Sequence, residues 1–255
     1  ADFNLDLLTN ASDVDNGAVL AVDSLVNTLG DDGGISVNAN GTSLDVDLSY
    51  YQYLAGGTSE TITFTYDVID GFGGVPASQS VTIVINGVND DPSVSDPVAT
   101  TVSEDDADFN LDLLTNASDV DNGAVLAVDS LVNTLGDDGG ISVNADGTSL
   151  DVDLSYYQYL SGSDTEVITY TYNVIDGLGG SVPQSVTITI NGQNDDPTIS
   201  DPVATTVSED DANFNLDLLT NASDVDNGAV LAVDSLVNTL GDDGGISVNA
   251  DGTSL

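Results

Sequence analysis

The oxygen-donor side chains of this 255-residue chain fall into a few short groups that recur. Ser118-Asp-Val-Asp-Asn-Gly123 returns at Ser12–Gly17 and Ser223–Gly228, so Asp119 and Asp121, Asp13 and Asp15, and Asp224 and Asp226 are pairs two residues apart. In a loop, both carboxylates of such a pair can turn toward one ion. A calcium site wants about six to eight oxygens, drawn from carboxylates, amides and carbonyls. A second group, Ile175-Asp176-Gly177 with its copy Ile69-Asp70-Gly71, leaves a strand where a sandwich loop would neighbour the first. The hexapeptide also reads as a plain turn, because Asn-Gly is a strong hairpin signal by itself. Two familiar calcium loops are excluded. An EF-hand needs glycine sixth and glutamate twelfth, whereas counting from Asp119 puts Gly123 fifth and Ser130 twelfth. A β-roll needs tandem Gly-Gly-x-Gly-x-Asp units, and Gly179-Gly180 is an isolated pair.

A third group lies where β units join. Asn86-Gly-Val-Asn-Asp-Asp-Pro92 and Asn191-Gly-Gln-Asn-Asp-Asp-Pro197 each end an alternating run, Val81, Ile83, Ile85 in one case and Val186, Ile188, Ile190 in the other. A strand that runs into Asn-Asp-Asp-Pro cannot continue its ladder, since proline lacks the N–H and holds the residue before it extended. Asn89, Asp90 and Asp91, like Asn194, Asp195 and Asp196, therefore stand on short stretched connectors.

Composition narrows the chemistry. With 44 acidic residues and no Lys, Arg or His, the formal charge is −44. Nucleic acid is excluded as a partner, because counterions on phosphates must be displaced by basic groups. The same charge argues against binding to anionic membranes. Such a charge pushes a compact state apart unless cations neutralise it, and the hydrophobic content of 40%, much of it β-branched, argues against a disordered acidic tail. Without Cys there is no disulfide and no thiolate chemistry, and without Lys no Lys–Asn cross-link. No apolar run approaches a membrane span, and no signal peptide is read.

These groups sit on one unit that repeats. Ala1-Asp-Phe-Asn returns as Ala107-Asp-Phe-Asn, 106 residues on, and as Ala212-Asn-Phe-Asn, 105 further. From Ala1 to Leu54 and Ala107 to Leu160 the copies differ only at Asn40 and Asp146. The one-residue deletion falls between Gly74 and Gln79 against Gly180 and Gln184, which marks an exposed turn. A period of this size is that of a domain.

The second copy shows the strands. Val98 to Glu104 is a first edge segment; Phe109, Leu111 and Leu113 alternate with polar residues; Leu126 to Leu135 is longer and less regular. Ile141–Asn144 and Ser149–Leu154 flank Ala-Asp-Gly, Ile168, Tyr170, Tyr172 and Val174 share one face, and Val186, Ile188 and Ile190 close the unit. Period-two alternation between Gly, Asp and Asn turns describes half-buried antiparallel sheet. Six or seven such strands make a Greek-key sandwich. The joints place the copies at 1–90, lacking its first strand, 91–195, complete, and 196–255, the N-terminal part of a third. The pattern starts and stops in mid-unit, as an internal fragment of a longer protein would.

The ordered set of motifs resembles a known family. Ser-Asp-Val-Asp-Asn-Gly resembles the Asp-Ala-Asp loop of cadherin repeats, and Asn-Asp-Asp-Pro their Asx-Asp-x-x-Pro linker with tighter spacing. Ser103-Glu-Asp-Asp106 is similar to the glutamate-bearing first strand. With Tyr172-Asn-Val-Ile-Asp-Gly-Leu-Gly-Gly180, the set resembles the cadherin-like, VCBS-type repeats of giant bacterial RTX-type surface adhesins, over all of copy two and the available parts of the others. The resemblance implies an all-β fold: tandem cadherin-like/Ig-like Greek-key β-sandwich domains joined by short acidic linkers in an extended array. It also implies calcium (Ca2+) at each joint. Joint one–two would use Asn89, Asp90, Asp91, Asp119, Asp121 and Asp176. Joint two–three would use Glu104, Asn194, Asp195, Asp196, Asp224 and Asp226. Asp13, Asp15 and Asp70 are the matching positions of copy one. Copy one lacks a segment matching Glu104, and copy three a loop matching Asp176. The cadherin Asp-Arg-Glu segment has no close counterpart; Asp151 and Asp153, the nearest acids, read as outward strand residues.

The resemblance further implies a calcium-stabilised extender of a bacterial cell-surface adhesin, extracellular, holding a distal binding module away from the cell. Its partners would be calcium ions and neighbouring repeats. The alternative is a segment of a self-associating, calcium-dependent matrix or surface fibre, with other copies as partners. A carbohydrate-binding module is a third reading, carried by Tyr156-Tyr-Gln-Tyr159, whose plainer role is to plug the end of a sandwich. Asp137-Asp-Gly-Gly140 reads as a turn or a peripheral calcium loop. Paired carboxylates can hydrolyse glycosides, but identical tandem copies without another catalytic residue type point away from an enzyme.

Overall fold

The computed structural model describes residues 2–250 and 252–255. Copy one supplies β1 (Phe3–Asp6), β2 (Ala21–Leu29), β3 (Ile35–Val37), β4 (Ser43–Val46), β5 (Ser59–Ile69) and β6 (Ala77–Asn86). Copy two supplies β7 (Ser93–Val94), β8 (Val98–Ser103), β9 (Phe109–Asp112), β10 (Ala117–Ser118), β11 (Ala127–Leu135), β12 (Ile141–Val143), β13 (Ser149–Val152), β14 (Thr165–Ile175) and β15 (Ser181–Asn191). Copy three has only β16 (Thr198–Ile199) and β17 (Ala222–Ser223) among its described residues. The sheets run β1–β4–β3, β2–β5–β6, β12–β13–β9 and β11–β14–β15–β8, with two-stranded β10–β7 and β16–β17. The fold is all-β, as the alternation requires. Among the described residues the helical content is two single 3₁₀ turns, Leu48–Tyr51 and Leu154–Tyr157.

Packing groups the residues into two compact units. The first comprises Ala1–Asp96, Leu114–Leu131 and Tyr172–Gln184; the second comprises Pro97–Leu113, Val132–Thr171 and Ser185–Leu255.

In the first unit, β1–β4–β3 and β2–β5–β6 turn their apolar faces onto one core. Leu7, Leu44, Val46 and Tyr51 meet Ile62, Phe64, Tyr66, Ile83 and Ile85 there. Ile62, Phe64 and Tyr66 of β5 and Ile83 and Ile85 of β6 enter it at every second position, as strand geometry dictates. The Tyr66 hydroxyl donates to the Leu7 carbonyl at 2.7 Å, which satisfies a buried phenol across the core. The irregular alternation of β2 has a cause: Ser24 has φ 54°, and the pairing with β5 slips between Asp23 and Val26. This is a bulge.

In the second unit, β13 pairs Leu150 with Leu111 of β9 and Val143 of β12. Leu113, Leu150, Ile168, Val186, Ile188 and Ile190 are all fully buried. β8 runs parallel to β15, Val98 beside Val186 through Ser103 beside Asn191. The expected strand to Leu154 ends at Val152, and Asp153 is not an outward strand residue. It caps the 3₁₀ turn, its carboxylate accepting from the Ser155 N–H at 3.0 Å. In copy three the segment matching β11 forms no strand, with Val237 71% and Leu240 93% exposed. The strands that would pair with it have no counterpart in residues 196–255, and an unpaired strand has no ladder to hold it.

Candidate metal centres at the Asn-Asp-Asp-Pro connectors

In the first unit the connector after β6 folds onto two loops of copy two. The Asp90 N–H donates to Asp121 Oδ2 at 2.8 Å, and the Asn89 amide to Asp176 Oδ2 at 2.8 Å. Asp119 closes the turn of its hexapeptide with one oxygen and leaves the other over. Its Oδ1 accepts from the Asp121 N–H at 2.8 Å, closing a turn, while its Oδ2 is buried with no partner. Asp121 Oδ1 and Asn89 Oδ1 are likewise buried and unpartnered. Such acceptors are costly to bury unless something supplies positive charge.

Asp176 is placed by its own strand end. β14 delivers it, and its Oδ1 accepts from the N–H groups of Leu178, Gly179 and Gly180 at 2.7–2.9 Å. Burial pushes this carboxyl up, but the Asn89 amide and those N–H groups outweigh it and hold the pKa below the ordinary range. Gly180 is needed for its lack of a side chain. A Cβ there would stand 2.3 Å from Asp176 Oδ2, 2.9 Å from Asp91 Oδ1 and 3.0 Å from the Asn89 amide nitrogen. Asp91 thus faces the same hollow, although its side chain is otherwise exposed. All six residues expected at this joint come together.

The second unit repeats the arrangement at the next connector with a different complement. The Asp195 N–H donates to Asp226 Oδ2 at 3.0 Å, and the Asp226 N–H to Asp224 Oδ1 at 2.9 Å. Glu104, at the end of β8, is 1% exposed and accepts from the Gln193 N–H at 2.5 Å. Carboxylate oxygens of Glu104, Asp195 and Asp226 lie within 4.8 Å of one another. One oxygen of each is buried without a partner. Burial raises the pKa of Glu104, and Asp195 and Asp105 push it further. Asp195 is raised by desolvation, then by Asp105, Asp226 and Asp224. Asn194 and Asp196 stay exposed; the Asn194 amide donates to the Asp195 carbonyl at 2.9 Å.

Both acidic sets fit a hard cation, with all-oxygen donors and orphaned buried oxygens, and the first also has a hollow that one methyl group at Gly180 would fill. Asp13 and Asp70 line one open hollow with Gly71, Gly73 and Gly74, and Asp15 is not among its lining residues. Asp13 and Asp15 are exposed, held by the local Asp15 N–H to Asp13 bond at 2.7 Å, and Asp70 caps the Phe72 N–H at 2.8 Å. Where a connector lies against the motif, Asp121 and Asp226 are buried.

Several participants carried little sequence signal. Gln158 holds Glu104 by its amide to the Glu104 carbonyl at 2.8 Å, and the carbonyls of Tyr53 and Tyr159 take the N–H groups of Asn122 and Asn227 at 2.8 and 2.9 Å. Asp105 was visible only as the neighbour of Glu104 in Ser-Glu-Asp-Asp.

Comparison with known proteins matches residues 89–189 to the family model described as a bacterial Ig domain. That match spans nearly all of the second copy. No curated protein matches the chain. Among solved structures, extracellular cadherin domains 1–5 of protocadherin gamma B2 are similar at 17% identity and a TM-score of 0.38, over 89% of this chain and 43% of that one. Mouse cadherin-23 EC22–24 is similar at 20% identity and 0.36, over 85% and 69%. Human mucin-like protocadherin EC1-2 is similar at 15% identity and 0.39, over 66% and 84%. The chain spans less than half the length of the first of these.

The tyrosine cluster of the repeat is engaged internally. Tyr157 is fully buried, its hydroxyl donating to the Asp137 carbonyl at 2.9 Å, and Tyr170 donates to the Asp138 carboxylate at 2.8 Å. Asp137 accepts from the Gly139 N–H at 3.0 Å, and Glu166 from the Asp137 N–H at 2.7 Å, so Asp137–Gly140 is a turn. Burial raises Tyr51 to about 12, and raises Tyr157 and Tyr170 in the same direction. The stability these phenols contribute is full below pH ~10, the ordinary phenol value. It is lost as pH rises toward about 12. An alkaline titration should show tyrosinate absorbance lagging for these residues and rising together with unfolding. A smooth titration of all nine tyrosines before unfolding would contradict their burial.

Proposed function

We propose that this chain is a calcium-stabilised spacer segment of a bacterial cell-surface adhesin. Three repeats, 1–90, 91–195 and 196–255, form the segment, and calcium stiffens each Asn-Asp-Asp-Pro joint. The observation that carries the reading is the convergence of connector and loop carboxylates with buried oxygens left unpartnered at both joints. In joint one–two, Asn89, Asp90, Asp91, Asp119, Asp121 and Asp176 hold the ion. In joint two–three, Glu104, Asp195, Asp224 and Asp226 do, with Asn194 and Asp196 at the rim. When bound, the cation supplies positive charge that cancels repulsion between carboxylates from successive repeats. The chain's own part is to aim one oxygen of each acid inward while N–H groups hold the other.

Near-identical copies suit a spacer, which needs number and stiffness and no unique site. An extracellular setting accords with the bacterial Ig match, and among the described residues no helix is long and apolar enough to cross a membrane. Engagement of the tyrosines in hydrogen bonds to Asp137 and Asp138 speaks against a sugar platform. No catalytic role is assigned to the carboxylates, which backbone N–H groups already tie down.

The test is calcium titration of the full chain and of Asp121→Asn by calorimetry, with small-angle scattering in calcium and in chelator. Asp121→Asn keeps an acceptor for the Asp90 N–H and removes the charge. It should weaken binding at one joint by about 2–3 kcal/mol, the worth of a charged contact. The maximum dimension of the wild-type chain should become less defined in chelator. Equal calcium binding by both proteins would refute the ligand assignment.

A further inference from the structure

Oxidation of this chain has few side chains to end on. Cys and Met, which oxidants usually take first, are absent, and so are Trp and His, while tyrosine occurs nine times. Most of those rings are sheltered. Tyr51, Tyr66, Tyr157, Tyr170 and Tyr172 are buried, and Tyr53 and Tyr159 are half-buried. Tyr50 and Tyr156 are the two exposed, at 44% and 43%. They hold equivalent positions in copies one and two, so each of these repeats presents one open phenol.

Both open phenols are seated in the same way. The Tyr156 hydroxyl donates to Asp137 Oδ2 at 3.2 Å, and the Tyr50 hydroxyl to Asp31 Oδ2 at 3.1 Å. The other oxygen of each acid accepts from the Gly139 or Gly33 N–H, at 3.0 Å in both cases. The ring lies against that same glycine. A Cβ on Gly139 would stand 2.2 Å from Tyr156 Cζ, and one on Gly33 2.3 Å from Tyr50 Cζ. Tyr157 packs edge-on to Tyr156, with ring centroids 5.0 Å apart, but its hydroxyl donates to the Asp137 carbonyl. A peptide carbonyl accepts a hydrogen bond without taking the proton, whereas a carboxylate can take it. An electron lost from this pair of rings therefore leaves the radical on Tyr156, whose proton has somewhere to go.

We infer that Tyr50 and Tyr156 are oxidative cross-linking sites, at which hydrogen peroxide, acting through a haem peroxidase, joins the phenol of one chain to that of a second copy. At each phenol the O–H bond breaks: the electron goes to the peroxidase and the proton to Asp137 or Asp31, which passes it to water. Two phenoxyl radicals then couple through ring carbons next to the oxygens. One C–C bond forms, and the hydrogen on each coupled carbon moves to its oxygen, restoring two phenols. The two electrons and two protons reduce one peroxide to two waters, so the step balances. The product is a covalent bond between chains whose composition, without Cys or Lys, offers neither a disulfide nor a Lys–Asn link. The inference does not rest on the calcium reading above.

Peroxide added stepwise to the full chain with a haem peroxidase tests this, at an ionic strength where repulsion between acidic copies is screened beyond about 8 Å. Wild-type chain should give a ladder of covalent oligomers on a denaturing gel, with the fluorescence of a biphenol. Cleavage at acidic residues, there being no Lys or Arg, should map the links to Tyr50 and Tyr156. Tyr156→Phe keeps one open phenol and should stop at dimers. Tyr50→Phe with Tyr156→Phe should give no ladder, although the other seven of the nine tyrosines remain. Each change removes one exposed hydroxyl and keeps the ring, so the fold is not at stake. Asp137→Asn, made in the Tyr50→Phe chain, keeps an acceptor for the Gly139 N–H. It should slow dimer formation about tenfold, less than a positioned base usually contributes, because water also reaches this phenol. Added acetate should restore part of that rate, which a merely structural defect would not allow. A double variant that ladders like wild type, links on the sheltered tyrosines, or links only within one chain would overturn the inference. An unchanged rate for Asp137→Asn would overturn the part given to the carboxylate.

Discussion

Chelating calcium from the full chain is expected to lower its melting temperature by roughly 5–15 °C. A cation held only by the folded form adds about 2.7 kcal/mol per site when it is present at about 100 times its dissociation constant. For units of this size, 1 kcal/mol moves the midpoint by roughly 2–8 °C. The decisive control is Glu104→Gln. The amide still offers an oxygen to the Gln193 N–H but removes a charge that is 1% exposed beside Asp195 and Asp226. In chelator this variant should be more stable than wild type, by about 1–3 kcal/mol. In calcium it should be less stable. A change of the same sign in both conditions would mean that Glu104 is structural and that no ion sits there.

The pH dependence has the same logic. Glu104 and Asp195 are raised by burial and neighbouring carboxylates, so the folded, cation-free chain holds their protons more tightly than the unfolded chain. Their contribution is full below the ordinary carboxyl values of 4.5 and 3.8, and is lost as pH rises through the raised folded values. Protons thus stand in for the cation at joint two–three. Asp176 runs the other way: its lowered pKa contributes stability above 3.8 that is lost as pH falls through the folded value. Thermal melts in chelator, stepped from neutral to mildly acidic pH, should rise for wild type and stay flatter for Glu104→Gln.

Leu150→Ala should cost about 2–5 kcal/mol, the range for emptying a fully buried leucine site. Leu150 is 0% exposed on β13, in register with Leu111 on one side and Val143 on the other. Val143→Ala, at a side chain 53% exposed, should stay within about 0.5 kcal/mol. Denaturant unfolding in saturating calcium separates these effects from the joints. A loss below 1 kcal/mol for Leu150→Ala would mean that the faces of the second unit do not share the core described.

The strands were legible because alternation is a local property. Phe109 to Leu113, Ile168 to Val174 and Val186 to Ile190 each show one face to the core, and a period of two reports that face whatever lies opposite. The hexapeptide was legible as donors but ambiguous as structure, since turn and site use different oxygens of Asp119. Asp153 was misread because alternation continues formally into a capping position.

What the sequence by itself determined was the all-β repeat, its period, and the side chains able to bind a cation. These follow from residue type and spacing within a few positions of one another. Only the tertiary structure decided which copies of a motif are buried against a connector. Asp121 and Asp226 are buried because a connector lies over them, while Asp15, identical in its local sequence, stays exposed. The structure alone likewise decided that Val98–Ser103 is a strand and Val203–Ser208 is not. The same residues differ because a strand needs a hydrogen-bonding neighbour, which no stretch of chain supplies for itself.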